Sequence, residues 1–297
     1  MAGAEMKQQY NKDGIKNNNG RLVFENREAF DKYIQWIFEN QDNSEMIESK
    51  NELLDFQSML KIYEVGMAKD QTSPEFKSYI KLYPNVFEAV EFDNSTIYEL
   101  QAPNVIAYIA NKDGVYQIGN TIYRMSLNCS YEITDGDESK LAIVVSANGD
   151  VNLENVNVNM TNTSEKGEYG YRTEYFDSNH RIVARLREFQ PSNLWYYEAR
   201  TTAQKKSWGI WVQENIAWVR VQWDAGYFYE MYSQVKIDID AYVSPNDLDD
   251  IKRTFAITNS SYKIDFSRSF CKITHKGCRH MGNNNYVTKE IITPDAI

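Results

Sequence analysis

The sequence is poor in the residues that most catalytic and metal-binding sites require. It has three histidines and three cysteines among 297 residues. It lacks the G-x-S-x-G nucleophile turn, the H-E-x-x-H zinc motif, the G-x-x-x-x-G-K phosphate loop and the G-x-G-x-x-G dinucleotide fingerprint. These absences exclude the hydrolases, zinc proteases and nucleotide-binding proteins that carry such signatures. No cofactor is predicted.

Long apolar runs and a basic charge balance are missing as well. No run approaches the eighteen apolar residues of a transmembrane helix, and the first residues lack the apolar stretch of a secretory signal peptide. Acidic residues outnumber basic ones by 42 to 32, for a net charge of −10. Because phosphate binding needs a basic surface, nucleic acid is not expected as a partner.

The first third of the chain has the periodicity of helices. Residues 1–20 are polar and read as a leader or linker. Apolar residues then recur at helical spacing, with capping residues at the helix starts. Three helices are predicted. The first begins at Asn26, the second runs from about Ser44 to near Gly66, and the third runs from Ser73 to Pro84.

From residue 96 onward, short alternating segments separated by turn residues indicate antiparallel strands. Gly119-Asn120 is a two-residue hairpin turn between two of them. We also expect a strand at 142–145 and a short helix at 244–255. The predicted fold class is α+β, with N-terminal helices (21–95) packed on a predominantly antiparallel, sandwich-like β region (96–297) as one continuous body.

An aromatic block lies between residues 195 and 232. Five of the six tryptophans fall there, and on a strand Trp208 and Trp211 point to opposite faces, as do Trp218 and Trp223. One core face cannot hold all these rings, which favours an exposed surface for a glycan or protein ligand. Alternatively, aromatic residues simply favour strands. The candidate ligand-binding residues are Trp195, Tyr197, Trp208, Trp211, Trp218 and Trp223.

Two cysteines and two histidines cluster near the C-terminus. Cys271, His275, Cys278 and His280 are suitable donors for zinc, but the spacing C-x3-H-x2-C-x-H fits none of the common zinc motifs. A hairpin turn at 276–277 would instead bring Cys271 and Cys278 together as a disulfide, and unpaired thiols are the other alternative. No metal site is predicted.

Two phrases of the sequence resemble a known family. Gly20-Arg21-Leu22-Val23-Phe24 is followed by Asn-Arg-Glu-Ala-Phe-Asp at 26–31, and residues 111–123 read Asn-Lys-Asp-Gly-Val-Tyr-Gln-Ile-Gly-Asn-Thr-Ile-Tyr. Together they resemble uncharacterised cell-envelope lipoproteins of gut Bacteroidetes, a family of unknown function. The resemblance implies a periplasmic or cell-surface location. Such proteins carry a signal peptide and a lipidated cysteine, which this sequence lacks. We therefore expect membrane attachment only if a lipid anchor has been removed.

The residues and the resemblance together favour a non-enzymatic binding or surface-assembly protein of the bacterial cell envelope, with a glycan or a protein as ligand. One alternative is a carbohydrate-active hydrolase, because glycoside hydrolysis needs only two carboxylates about 5–10 Å apart across a cleft. The sequence nominates no such pair. Another alternative is a structural component of a larger assembly, such as a virion, in which an unprocessed Met1 is expected.

Overall fold

The computed structural model describes residues 10–93, 95–126, 129–147, 149–160, 171–189, 194–207, 209–230, 236–258, 264–270, 272–282 and 285–293. The helices are α1 Arg27–Glu39, α2 Ser44–Leu53, α3 Met59–Met67, α4 Pro74–Leu82, α5 Asn104–Ala107 and α6 Glu138–Ser146. The strands are β1 Ile15–Asn17, β2 Leu22–Phe24, β3 Phe87–Phe92, β4 Ser95–Leu100, β5 Val115–Ile118, β6 Thr121–Met125, β7 Cys129–Ile133, β8 Val156–Met160, β9 Tyr171–Asp177, β10 His180–Phe189, β11 Trp195–Ser207, β12 Ile210–Gln213, β13 Trp218–Trp223, β14 Gly226–Glu230, β15 Lys236–Ile239, β16 Tyr242–Val243, β17 Asp250–Thr258, β18 Ile264–Phe270, β19 Ile273–His280 and β20 Tyr286–Thr293.

The predicted fold class, helices packed on an antiparallel sandwich-like region, is wrong. The described residues are mostly β, in several separate sheets, and their helices are short, from four to thirteen residues long. Strands β1 and β2 precede the first helix, and β3 lies inside the stretch predicted as helical. Strand β1 has three residues, which is too short to show an alternating pattern, so the sequence does not reveal this strand.

The chain forms two compact units. The first comprises the described parts of Met1–Lys69, Ser78–Phe87 and Leu100–Met160, and the second those of Asp70–Lys77, Glu88–Glu99 and Thr161–Ile297. The sequence-based division into 1–20, 21–95 and 96–297 as one continuous body stays a prediction. No helix among the described residues has the length and apolar character needed to span a bilayer.

A six-stranded sheet organises the first unit, in the order β1-β2-β5-β6-β7-β8. Strands β2 and β5 run parallel, with Val23 opposite Gln117, and the other neighbours are antiparallel. The predicted hairpin around Gly119-Asn120 is confirmed, because β5 and β6 pair with Ile118 opposite Thr121. Gly119 has a positive φ of 56°, as this tight turn requires.

Helix α1 forms where the sequence predicts it. The Asn26 side chain caps it by accepting a hydrogen bond from the Ala29 N–H at 3.0 Å. Phe30, Ile34 and Ile37 are buried on one face. The Phe30 ring stacks on Tyr116 of β5 with the centroids 5.8 Å apart, so this face of the helix is anchored in the core of the first unit.

The single helix predicted from Ser44 to Gly66 is wrong, because the structure has two helices, α2 and α3. Asp55 adopts a left-handed φ of 51°, which ends α2. The Asn17 side-chain amide donates hydrogen bonds to the carbonyls of Leu54 and Asp55, at 3.1 and 2.8 Å. The Ser58 hydroxyl then caps α3 by accepting from the Lys61 N–H. A partner distant in sequence thus helps to satisfy the broken helix end.

The strand predicted at 142–145 is also wrong, because these residues lie in α6. Asp137 caps this helix by accepting from the Ser139 N–H at 2.9 Å. Leu141, Val144 and Val145 follow the i, i+3, i+4 spacing and pack in a cluster with Tyr131 of β7. A short apolar run fits either a buried strand or a helix. Here the Asp137 cap stabilises the first turn of the helix.

The second unit contains three sheets of three to five strands, and strands β3 and β4 pair as a separate ribbon. Strand β11 lies at the centre of the five-stranded sheet of this unit. It pairs with β10 along one edge. Along its other edge, its first part pairs with β17 and its last part with β12. The helix predicted at 244–255 is wrong, because β17 pairs antiparallel with Trp195–Thr202. The predicted β character of 195–232 is confirmed for the described residues, which form β11 to β14.

Candidate functional site

The predicted aromatic block contributes mainly to the interior of the second unit. Trp195, Tyr197 and Trp223 lie in one core cluster and are at most 7% exposed. Trp211 is also buried, with the Arg181 guanidinium 4.1 Å from its ring centroid. Trp218 is half-buried, and Trp208 lies outside the described residues. The buried rings leave little surface for a ligand, and binding through this block stays a prediction.

The Cys271–His280 segment does not form a metal centre from its described members. Cys278 is buried, His280 is exposed, and Cys271 lies outside the described residues, so the disulfide stays a prediction. His275 is fully buried, with Nδ1 2.9 Å from the Thr201 hydroxyl, and burial lowers its pKa to about 3. In the described part of the chain, no three His, Cys, Asp or Glu side chains are grouped to hold a metal ion.

A cleft of about 500 Å3 lies beside α1 in the first unit. Its walls come from the turn before β1, from the first three turns of α1 and from Lys50 of α2. The turn depends on Gly14, whose φ is +72° and whose missing Cβ would meet Ala29 at 3.1 Å. The lining residues are Lys12, Asp13, Gly14, Glu25, Asn26, Glu28, Ala29, Lys32, Tyr33, Trp36 and Lys50.

An aromatic pair with a lysine above it forms one side of this cleft. Tyr33 and Trp36 are three residues apart on α1, so their rings are neighbours, with centroids 5.4 Å apart and planes 23° apart. The Lys50 ammonium lies 4.2 Å from the Trp36 ring centroid and 5.1 Å from that of Tyr33. Lys50 is also 3.3 Å from an oxygen of Asp13, which fixes the cation over the rings.

The Tyr33 hydroxyl is a buried polar group that lacks a hydrogen-bond partner among the described residues. Tyr33 is 4% exposed, and its hydroxyl makes no hydrogen bond with any described residue. Burial, together with the nearby charges of Glu48 and Asp13, raises its pKa well above the usual value, so the hydroxyl keeps its proton. An unsatisfied buried donor costs about 1–3 kcal/mol.

The rim of the cleft carries charges of both signs. Lys32 and Glu28 form an i, i+4 ion pair at 2.6 Å, and the hydrogen bond and charge of Lys32 lower the pKa of Glu28. Lys12 and Glu25 have no ionic partner among the described residues. The three lysines and three carboxylates of the lining balance in formal charge, so the site can both donate and accept hydrogen bonds.

A second cluster of ionisable residues lies buried in the second unit around Glu99 of β4. The Glu99 carboxylate is fully buried and within 3.0 Å of guanidinium nitrogens of Arg185, Arg187 and Arg200. Tyr171 donates a further hydrogen bond at 3.0 Å. Burial alone would raise the pKa of Glu99, but the arginines outweigh it and hold the pKa well below normal.

This cluster extends along the polar face of β11. Arg187 also pairs with Glu198, and Asp250 accepts from Arg200 at 2.7 Å and from Lys252 at 2.9 Å. The void beside these residues is about 10 Å3, the space of roughly one water molecule. With its charges paired internally and no room for a larger ligand, the cluster is structural, and the cleft is the candidate functional site.

Sequence analysis missed the residues of this cleft. Trp36 lies off the apolar stripe that Phe30, Ile34 and Ile37 form on α1, and it is half-buried. The one signal in the sequence is a tryptophan beside the buried stripe of an amphipathic helix, since an indole joins a large apolar surface to an N–H donor. No pattern in the sequence indicates that Asp13 and Lys50 line the same cleft, because neither residue belongs to α1 and only the packing of the chain brings them to it.

Comparisons with known proteins do not identify a function for this chain. No family model and no curated protein matches the chain. Among solved structures, the chain is similar to a DUF4848 family protein from Bacteroides thetaiotaomicron, with 14% identity and a TM-score of 0.31 over 94% of this chain and 99% of that one. With a TM-score below 0.5, the match carries no argument about fold or function.

Proposed function

We propose that this chain is a non-enzymatic binding protein whose ligand site is the cleft beside α1. The observation that carries the proposal is the half-buried ring of Trp36, which stacks with Tyr33 and lines a cleft of about 500 Å3 that also holds charged groups of both signs. Small-molecule sites typically have volumes of about 300–1,000 Å3 and join aromatic walls to a few polar groups. The cleft has this size and this composition.

A role in the bacterial cell envelope is part of the proposal and rests on the sequence resemblance alone. In that setting, the protein would present the cleft to a glycan or to a peptide segment of another protein. Surface assembly would then follow from ligand capture.

One carboxylate of the cleft, Glu28, is unsuited to be the general acid of glycoside hydrolysis. A general acid that works near neutral pH needs a raised pKa. The pKa of Glu28 is lowered by its hydrogen bond and ion pair with Lys32, the opposite of this requirement. Neither histidine nor cysteine lines the cleft to serve as a base or nucleophile.

The test is a ligand screen with variants that separate the cleft from the aromatic block. Saccharides, amino acids and short peptides are screened by thermal shift, and hits are measured by isothermal titration calorimetry. We expect at least one class to bind, with a Kd raised at least tenfold by Trp36→Ala. Trp218→Ala, which removes a half-buried tryptophan from the second unit, is the matched control and should leave Kd unchanged.

Circular dichroism of each variant confirms that its fold is retained. The proposal fails if no class of compound raises the melting temperature. It also fails if Trp218→Ala abolishes binding while Trp36→Ala does not, because the ligand site would then lie in the aromatic block.

A further inference from the structure

We infer that the cleft binds a neutral saccharide, with one sugar ring against Trp36 and adjacent hydroxyl groups bridging Lys12 and Glu25. The inference rests on the proposed function and adds the chemical class of the ligand.

The aromatic side of the cleft suits a sugar ring. The face of an indole is electron-rich, and the C–H bonds on one face of a pyranose ring carry a small positive charge, so the two surfaces attract. Trp36 is half-buried, and its ring lines the cleft. Its indole N–H makes no hydrogen bond with the described residues, which leaves a donor at the edge of the same platform.

The polar groups of the cleft match hydroxyl groups better than ionic ones. A hydroxyl both donates and accepts, so two neighbouring hydroxyls can accept from an ammonium and donate to a carboxylate. Lys12 and Glu25 offer this combination and have no ionic partner among the described residues. Glu25 is held in place because its N–H donates to the carbonyl of Gly14 at 2.8 Å.

Charge balance in the lining disfavours ligands with a large net charge of either sign. An anion would meet Asp13, Glu25 and Glu28, whereas a cation would meet the three lysines of the same lining. A neutral ligand avoids both repulsions. The Lys50 ammonium lies over one face of the Trp36 ring, 4.2 Å from its centroid, and is a donor for a sugar hydroxyl next to the exposed part of the indole.

The experiment compares ligand classes on the full chain by calorimetry. The probes are neutral oligosaccharides of glucose, galactose, mannose and N-acetylglucosamine, matched oligosaccharides of uronic acids and of glucosamine, and free amino acids, each in 50 and 500 mM NaCl. We expect a neutral oligosaccharide to bind with a Kd that changes less than about twofold with salt, because an uncharged ligand is not screened.

Variants then place the sugar in the cleft. Glu25→Gln and Lys12→Met should each raise Kd by about tenfold, the effect of losing a hydrogen bond to a charged group. Glu45→Gln, an exposed glutamate on α2, is the matched control and should leave Kd unchanged.

The outcomes separate the inference from the proposed function. Binding restricted to charged probes and abolished by Trp36→Ala would overturn the saccharide inference and keep the cleft as the binding site. Binding of a neutral sugar that tolerates Glu25→Gln, Lys12→Met and Trp36→Ala would overturn both, as would the absence of binding by every class. Loss of neutral-sugar binding in these three variants, with Glu45→Gln unaffected, supports the inference.

Discussion

At the scale of single residues, the second unit keeps one histidine neutral by burying it. His275 is fully buried, contacts the hydroxyl of Thr201, and has a pKa of about 3, against about 6.5 for a free histidine. The unfolded chain therefore takes up a proton first on acidification. The stability associated with His275 is present above pH 6.5 and is lost as the pH falls toward 3.

We expect His275→Gln to remove this pH dependence. Relative to the variant, the free energy of unfolding of the wild type should fall by about 2 kcal/mol between pH 7 and pH 5. Urea denaturation at pH 7, 6 and 5 measures this difference. Comparing the two proteins is necessary because Asp249 titrates in the same window with the opposite sign.

The pKa of Asp249 is raised to about 6 by burial and by Asp250, so its contribution to stability is present at low pH and is lost as the pH rises. It is the same in wild type and variant and cancels in the difference. His280→Gln, at an exposed histidine of the same strand, serves as the control and should keep the wild-type slope. Parallel stability curves for wild type and His275→Gln would contradict the expectation.

At the scale of elements, β4 is tied to β10 and β11 by charge. Glu99 forms ion pairs with three buried arginines, and removing one partner of a buried ionic cluster leaves the others uncompensated. We expect Glu99→Gln to lower the free energy of unfolding by about 3–5 kcal/mol, measured by urea denaturation at pH 7.

The matched control for Glu99 lies in the same two-stranded ribbon. Glu91 of β3 is exposed, and its carboxylate accepts only the Thr96 hydroxyl among the hydrogen bonds of the described residues. Glu91→Gln should change stability by less than about 0.5 kcal/mol. An equal effect of the two substitutions would mean that the buried cluster does not hold β4 in place.

The turn that leads into β5 depends on the absence of a side chain at Gly114. This residue has a φ of +77°, and an added Cβ would lie 2.3 Å from the carbonyl oxygen of Met125 at the end of β6. Gly209 has a similar φ of +85° but nothing within 4 Å of the same position. The two glycines therefore share the backbone strain of a substitution and differ in the clash.

We expect Gly114→Ala to be more destabilising than Gly209→Ala by about 1–3 kcal/mol, because a backbone atom cannot move aside as a flexible side chain does. Thermal or urea unfolding of both variants measures the difference. Equal losses of stability would show that left-handed strain, rather than the close approach of β5 and β6, governs both positions.

At the scale of the whole molecule, net charge sets which partners approach. The net charge of −10 disfavours the approach of polyanions, and the absence of nucleic acid as a partner stays a prediction. The cleft beside α1 is locally balanced within this negative field, with three lysines facing three carboxylates. A neutral ligand is repelled neither by the net negative charge of the molecule nor by the charged side chains of the cleft.

By itself, the sequence determined the local features of this protein. The cap at Asn26, the buried stripe of Phe30, Ile34 and Ile37, and the hairpin at Gly119-Asn120 each depend on residues within a few positions of one another. Such short-range patterns predict α1, the β5–β6 pair and the strands of the aromatic block, and the structure contains all of these.

Only the tertiary structure decided the fold class and the candidate site. The break between α2 and α3 uses Asn17, and the strand at 250–258 forms by pairing with β11; both depend on residues far apart in sequence. The same holds for the cleft, where Asp13, Tyr33 and Lys50 come from three elements. Burial of Trp195, Trp211 and Trp223 and exposure of a cleft at α1 follow from how these elements pack, a long-range property that periodicity within one segment does not encode.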